Sequence, residues 1–356
     1  MKSLSLYSRA HKQINEVKPF VLFRRPDSEV LESYFQTDNS LNYTEDLTDQ
    51  GFVMAPFDIQ QKSILFPLSK SIKEVERIVS RDTEGYDQIK SKPIDPASDK
   101  HVALVAQGIQ KIKEGLFDKV VLSREECLTV DKKDWIKVFD KLLHFYPTAF
   151  VYIWFHPKAG LWMGATPETL LSVNKNKLST MALAATQPHT KTRQVVWNPK
   201  EKKEQQLVTD YIREALEPLG DHLKISEPYT HRAGNLVHLR SDINADIDFN
   251  IITLQEIVQK LHPTPAVCGL PKATALQFIK KHEGYNRAFY TGYLGEIVKD
   301  GTSKIDADLY VNLRCMQIFD EEVKIYVGGG ITKDSVPEKE WEETVRKTQT
   351  MKKVLW

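Results

Sequence analysis

AFVYIWFHPKAGLWMGATPETLLSVNKNKLSTMALAATQ, residues 149–187, decides the fold class. AFVYIWFHP and GLWMGATPETLLSV read as a hairpin pair leading into a turn at Pro167-Glu168, and KLSTMALAATQ is a further strand. Working outward, FDKVVLSREECLTV (117–130), HLRSDINADI (238–247), GYLGEIV (292–298), ADLYVNLRCMQIF (307–319) and EVKIYVGGGIT (322–332) are strand-like as well. Helical spacing links Val102, Val105, Ala106, Ile109 and Ile112, with Gly115 as the stop. Residues 200–217 and 336–356 are also helical. Strands come in runs with helices between some of the runs, so the class is α+β rather than strict βαβ alternation.

Towards the N-terminus, KPFVLFRRP (18–26), GFVMAPF (51–57) and SILFPLS (63–69) are short strands bounded by Pro and polar residues. Residues 71–100 turn highly polar, and KPIDPASD (92–99) is the expected boundary. The chain then divides into an N-terminal part, 1–95, packing on the core, and a catalytic domain, 96–356. No internal repeat or low-complexity tract interrupts either part.

The 356 residues are 41% hydrophobic and 27% charged, ordinary for a globular protein with a large core. Net charge is +1, which leaves no long-range field to gather nucleic acid or an anionic membrane. Cys127, Cys268 and Cys315 are far apart and show no ligand spacing, which argues against zinc, iron–sulfur and disulfide frameworks. The first 20 residues lack the pattern of a signal peptide, and no run is long enough to span a bilayer. A reducing cytoplasm is the expected compartment.

Two helices carry carboxylates on the wrong face. From Pro199 onward, Leu207, Val208, Tyr211 and Ala215 form an apolar stripe, with Gln206, Thr209, Asp210 and Arg213 opposite. Glu204 falls inside the apolar stripe, where desolvation is costly without a cation or donor. In the terminal helix, Ser335 and Glu338 have capping-box spacing. Glu340, Glu343 and Lys347 share the stripe that later carries Met351, Val354 and Leu355. This pattern suits either a buried salt-bridge set or a carboxylate cage for a hard divalent cation such as Mg²⁺.

Lys119 alternates with Val121 and Ser123 on one face of an apolar strand, as an edge charge or, if buried, as a base. Glu168 follows Pro167 and can open a short helix, as dipole support or as a general acid with a raised pKa. GGGIT (328–332) is either a plain glycine turn or a strand end whose exposed N–H groups suit a carboxylate. Arg314 in an apolar strand makes a structural ion pair or a bidentate carboxylate contact.

Nine stretches in order resemble the chorismate-binding enzyme family, which includes anthranilate synthase component I, aminodeoxychorismate synthase, salicylate synthase and isochorismate synthase. They are FDKVVLSR (117–124), GATPETLL (164–171), ALAAT (182–186), KEKKEQQLV (200–208), HL (238–239), HPTPAVCGLPK (262–272), EGYNRAFYTGYLG (283–295), LRC (313–315) and GGGITKDSVPEKEWEETVRK (328–347). The resemblance implies a large, mostly antiparallel β-sandwich flanked by helices, like anthranilate synthase component I. Within the family the chain is most similar to isochorismate synthases. Lys119 stands where water-using members carry a lysine base and anthranilate synthases carry glutamine. Ala266 also agrees with isochorismate synthases.

By the same resemblance, Glu168 is the general acid and Glu204, Glu340 and Glu343 hold Mg²⁺. Ala185, Thr186, His238, Arg314, Gly328, Gly329 and Lys347 contact chorismate. Lys119 would take a proton from water attacking C2 of chorismate while Glu168 protonates the departing C4 hydroxyl, giving isochorismate for menaquinone or siderophore synthesis. The partner is this small molecule alone, with no nucleic acid or membrane. A monomer without an obligatory amidotransferase subunit is expected. The alternatives are a salicylate synthase, which adds pyruvate elimination, and a non-catalytic chorismate-binding protein. Three positions depart from the family pattern: Ala185 stands where glycine is usual, Gln205 where histidine is common, and Thr348 where alanine is common.

Overall fold

A computed structural model describes residues 5–78, 97–188, 195–219, 221–233, 236–299 and 304–356. Two antiparallel sheets face each other. In order, the first contains Gly269–Leu270, Lys119–Thr129, Glu322–Ile331, Cys315–Ile318, Gly160–Thr166, Phe150–His156, Phe20–Arg24, Val30–Gln36 and Ser71–Arg77. The second contains Asp221–Ile225, Leu236–Asp246, Lys177–Pro188, Thr169–Asn174, Ile305–Val311, Tyr293–Lys299, Gly51–Ala55, Ser63–Pro67 and Asn42–Thr44, with Tyr229–Ala233 also paired to Leu236–Asp246. The expected α+β sandwich flanked by helices is what the chain forms. Strands from residues 20–77 belong to both sheets.

Strand periodicity builds the layers. Along Phe150–His156, Val151 and Ile153 face a helix-side core, while Phe150, Tyr152 and Trp154 face the opposing sheet. The Phe20–Arg24 strand does the same: Phe20 and Leu22 go one way, Val21 and Phe23 the other. Both faces are buried, so these strands read as continuous apolar runs instead of alternating ones. Helices Leu6–Asn15, Trp135–Phe145 and Pro337–Leu355 cover the first sheet, contributing Leu6, Phe139, Leu142, Met351 and Val354 to its outer core. Helices Pro199–Leu216 and Leu254–Leu261 cover the second, through Val208, Ile212, Leu216, Leu254 and Ile257.

The sequence misplaced several local features. ADLYVNLRCMQIF is two strands, broken at Asn312–Arg314 where the chain crosses from the second sheet to the first. Glu168 opens no helix: Pro167-Glu168 is the reverse crossover, from Gly160–Thr166 in the first sheet to Thr169–Asn174 in the second. The two crossovers lie side by side, with Val311 N donating to Glu168 O (2.9 Å) and Ala165 N to Arg314 O (3.0 Å).

Ser335 does not cap the terminal helix. Val336 holds that place without a side-chain bond, while Ser335 Oγ accepts from Thr332 N at 3.1 Å. On the Pro199–Leu216 helix, Gln205 and Thr209 are buried with Val208 and Ile212, whereas Leu207, Tyr211 and Ala215 are half-exposed. The buried stripe is therefore rotated from the one expected, with Gln205 Nε2 donating to Thr209 Oγ1 and Ser241 Oγ. The polar stretch Ser71–Arg77 is an edge strand, where charge is tolerated and discourages further pairing. Of the expected boundary 92–99, residues 92–96 lie outside the described residues and 97–99 open the Ala97–Lys113 helix.

Candidate active site

A cleft of about 420 Å³ lies at the two crossovers. It is lined by Lys119, Glu168, Ala185, Glu204, His238, Arg314, Gly328, Gly329, Glu340, Glu343 and Lys347, gathering the expected residues from distant parts of the chain. Thr186 is on the neighbouring strand by its backbone, but its side chain lies outside the described residues.

Lys119 opens the strand Lys119–Thr129, which pairs with Glu322–Ile331 in the register Val121↔Gly330, Leu122↔Gly329 and Ser123↔Gly328. On the strand's other edge, Val121 N donates to Cys268 O (2.7 Å), Val121 O accepts from Arg287 Nη2 (2.8 Å) and Ser123 N donates to Glu283 Oε1 (2.8 Å). Arg287 and Glu283 thus complete an edge that the two-residue strand Gly269–Leu270 leaves open.

The glycines form neither a turn nor a loop; they are strand residues whose missing side chains make room. A methyl group at Gly330 would sit 3.0 Å from Lys119 Cε and 3.7 Å from Glu204 Oε1. One at Gly329 would sit 3.4 Å from Glu340 Oε2 and 3.8 Å from Glu343 Oε1. Cys315–Ile318 pairs only as far as Tyr326, so the strand edge beyond is open to the cleft. Gly328 turns its carbonyl to that edge, where Lys347 Nζ donates at 2.8 Å. The alternation of an antiparallel ladder turns the Gly329 amide the other way, towards Leu122.

The charges are arranged in pairs. Lys119 Nζ lies 2.9 Å from Glu204 Oε1, and Lys347 Nζ lies 2.6 Å from Glu343 Oε1. Burial is the largest influence on Glu343 and raises its pKa, but Lys347, Arg346 and Arg314 together bring it below the usual glutamate value. Glu168 behaves oppositely. Burial dominates over Lys119 and Lys347 and raises its pKa to about 7. Glu168 can therefore hold and release a proton near neutrality.

His238 Nδ1 lies 3.0 Å from the Ala185 carbonyl, which can only accept, so Nδ1 carries hydrogen. Burial pushes the His238 pKa down to about 4, keeping the ring neutral. Arg314 is half-buried in the cleft wall, and desolvation lowers its pKa. Ala185 has a φ of 58° at the irregularity between Ala184 and Thr186. The backbone thus keeps a glycine-type conformation although the residue carries a methyl group.

Among the described residues no three His, Cys, Asp or Glu side chains are grouped as a ready-made metal site. Glu204, Glu340 and Glu343 nevertheless border one cleft and offer only carboxylate oxygens, the donor chemistry of a hard divalent cation.

Other lining residues were not singled out from the sequence: Asn198, Glu201, Tyr290 and Tyr326. Three had a visible signal. Asn198 and Glu201 have capping-box spacing and form one at the start of the Pro199–Leu216 helix. Tyr326 shares the strand alternation of Gly328 and Gly330. Tyr290 enters from a connection with no periodicity to read.

With this geometry in view, the family model described as chorismate binding enzyme matches residues 49–356. The chain belongs to the chorismate-binding enzyme family. It is 31% identical over 263 residues to the salicylate biosynthesis isochorismate synthase of Pseudomonas aeruginosa, covering 71% of this chain and 54% of that one. The chain thus spans about half the length of that relative. It is 29% identical over 283 residues to the isochorismate synthase DhbC of Bacillus subtilis, covering 74% and 69% of the two chains. Among solved structures, the menaquinone-specific isochorismate synthase MenF of Escherichia coli matches with a TM-score of 0.77 at 20% identity, over 95% of this chain and 89% of that one. Anthranilate synthase component I of Streptococcus pneumoniae matches with a TM-score of 0.68 at 17% identity, over 99% and 93%. These two likenesses establish a shared fold.

Proposed function

We propose that this chain is an isochorismate synthase, in which Lys119 is the base and Glu168 the acid for moving a hydroxyl group around the chorismate ring. The observation that carries the roles is the juxtaposition in one cleft of a buried lysine and a carboxyl group whose pKa is pushed up to about 7. A carboxyl that stays protonated near neutrality is a proton donor; an ordinary glutamate is not.

Chorismate enters as a dianion. Arg314, Lys347 and the Gly328 backbone bind its carboxylates, and neutral His238 presents its ring to the same cleft. Lys119, in its neutral form, takes a proton from a water whose oxygen bonds to C2. The ring double bonds shift, the C4–O bond breaks, and Glu168 gives its proton to the departing hydroxyl, which leaves as water. One water enters and one leaves, so substrate and product are isomers. Proton exchange with solvent returns Lys119 and Glu168 to their starting forms.

Glu204, Glu340 and Glu343 are the residues that would hold Mg²⁺. When bound, the ion supplies positive charge for the substrate's ring carboxylate. The proposed compartment is a reducing cytoplasm, where Cys127, Cys268 and Cys315 would stay as thiols. No helix among the described residues is long and apolar enough to cross a membrane. The lysine at 119 supports water as the nucleophile, with no need for an ammonia-supplying subunit. The product feeds either menaquinone or a catechol siderophore.

The test is incubation of purified protein with chorismate and Mg²⁺, followed by product chromatography. Isochorismate alone is expected. Salicylate with pyruvate would assign the elimination step as well, and unchanged chorismate would overturn the enzymatic reading. EDTA should abolish turnover and Mg²⁺ restore it; full activity in metal-free buffer would remove the cation from the scheme.

A further inference from the structure

The first turns of the terminal helix carry Glu340, Glu343 and Lys347, and Lys347 Nζ ties them to the Gly328 carbonyl at 2.8 Å. From Pro337 to Lys347 the buried residue is Thr344, while Met351, Val354 and Leu355 anchor the far end in an apolar core. The N-cap, Val336, makes no side-chain bond. Arg124 also meets this stretch, beside the Ala97–Lys113 helix. Its Nε donates to Thr344 Oγ1 (2.9 Å), its guanidinium carbon lies 4.3 Å from the centre of the Trp341 ring, and its Nη2 donates to Glu126 Oε2 (3.0 Å). Thr344 Oγ1 in turn donates to Trp341 O at 2.7 Å. Glu126 is also paired with Lys352, further along the same helix.

We propose that Arg124 is a positioning residue that sets the roll of the terminal helix, and with it the reach of Glu340 and Glu343 towards the cation. This deepens the metal reading above and rests on it. Arg124 is five residues beyond Lys119 on the same strand, at an even step where Lys119 is odd. The strand therefore aims the base into the cleft with one face and holds the helix with the other.

Magnitudes show why roll matters. Side-chain tips lie about 5–6 Å from a helix axis, so a 10° roll moves a carboxylate by about 1 Å. Metal–ligand distances tolerate about 0.2 Å. A guanidinium suits the task because its flat face covers Trp341 while its edge donates to Thr344 and Glu126; an ammonium has no such face or fork. His101, whose ring centre lies 6.0 Å from that of Trp341, is pushed down to about 4 by burial and adds no opposing charge near neutrality.

The test titrates Mg²⁺ against wild type, Arg124→Lys and Thr344→Val, following both turnover and the Mg²⁺-induced rise in Tm. Arg124→Lys should shift half-saturation about 10-fold upward in both readouts, and Thr344→Val about 3-fold, the scale of losing a group that orients metal ligands. The kcat at saturating Mg²⁺ should stay within about 3-fold of wild type, because Lys119 and Glu168 are untouched. Unchanged half-saturation in the variants, whatever their Tm, would overturn the inference by reducing Arg124 to a structural role. Should Arg124→Lys fail to fold, Thr344→Val decides. A wild type indifferent to Mg²⁺ in both readouts would overturn the metal reading itself, and this inference with it.

Discussion

The seam between the two sheets is full over much of its length and open at the cleft. In the closed part, rings from opposite sheets meet: Phe150 and Tyr310 at 4.1 Å, Phe23 and Phe52 at 5.0 Å, Phe66 and Trp154 at 5.5 Å. At the cleft, Gly328 and Gly330 supply no side chain, and charged groups border the space. The same backbone architecture thus makes a core in one place and a site in another. The difference lies in side-chain volume and in two sheet crossovers that deliver Glu168 and Arg314 together. Aromatic burial supplies stability, and missing volume supplies function.

The largest effects should come from the open part. Lys119→Ala and Glu168→Gln should each lower kcat by about 10²–10⁴-fold, the usual worth of a general acid or base, without loss of fold by circular dichroism. Near-normal turnover in either variant would refute its role. In the closed part, Phe150→Ala should cost about 3–5 kcal/mol in urea unfolding. Its kcat per folded molecule should be unchanged; a matching loss of kcat would blur the division between the two regions.

Filling the open part should do the reverse. The methyl of Gly330→Ala would press on the flexible end of Lys119, so kcat should fall by about 10²-fold with little change in the urea midpoint.

A pH experiment sharpens the comparison further. The native pKa of Glu168, about 7, lies above its ordinary value of 4.5, so the native state holds a proton that the unfolded state has lost between those values. This contribution to stability is complete below about pH 4.5 and is lost as pH rises towards 7. From pH 5 to 8.5, Glu168→Gln should gain about 1–3 kcal/mol relative to wild type, since glutamine has no proton to lose. Turnover of the wild type should fall as pH rises through the same range. A stability difference independent of pH would contradict the raised pKa.

The smallest effect belongs to Ala185→Gly. Relief of the left-handed strain, partly offset by unfolded-chain entropy, should raise stability by about 1 kcal/mol. A lower midpoint would show that the methyl contact outweighs the strain.

Much of the site was visible residue by residue. Alternation placed Lys119 with Val121 and Ser123, and helical spacing singled out Glu204, Glu340 and Glu343, all of which border the cleft. Where the reading failed, the cause was long-range. Arg314 sat in an apparently continuous strand because hydrophobic runs do not reveal which sheet each half joins. Glu168 resembled a helix start because Pro-Glu is equally at home in a sharp passage between strands. Ser71–Arg77 was read only as polar sequence, because an edge strand needs little apolar surface.

The sequence alone determined the type of most elements it named and the identity of the chemical groups, since these follow from side-chain period and residue chemistry. Tertiary structure decided which groups meet, that Lys119 pairs with Glu204 and Lys347 with Glu343, and that Glu168 titrates near neutrality. Proximity and desolvation depend on segments far apart in the chain, and no local pattern encodes the distance between them.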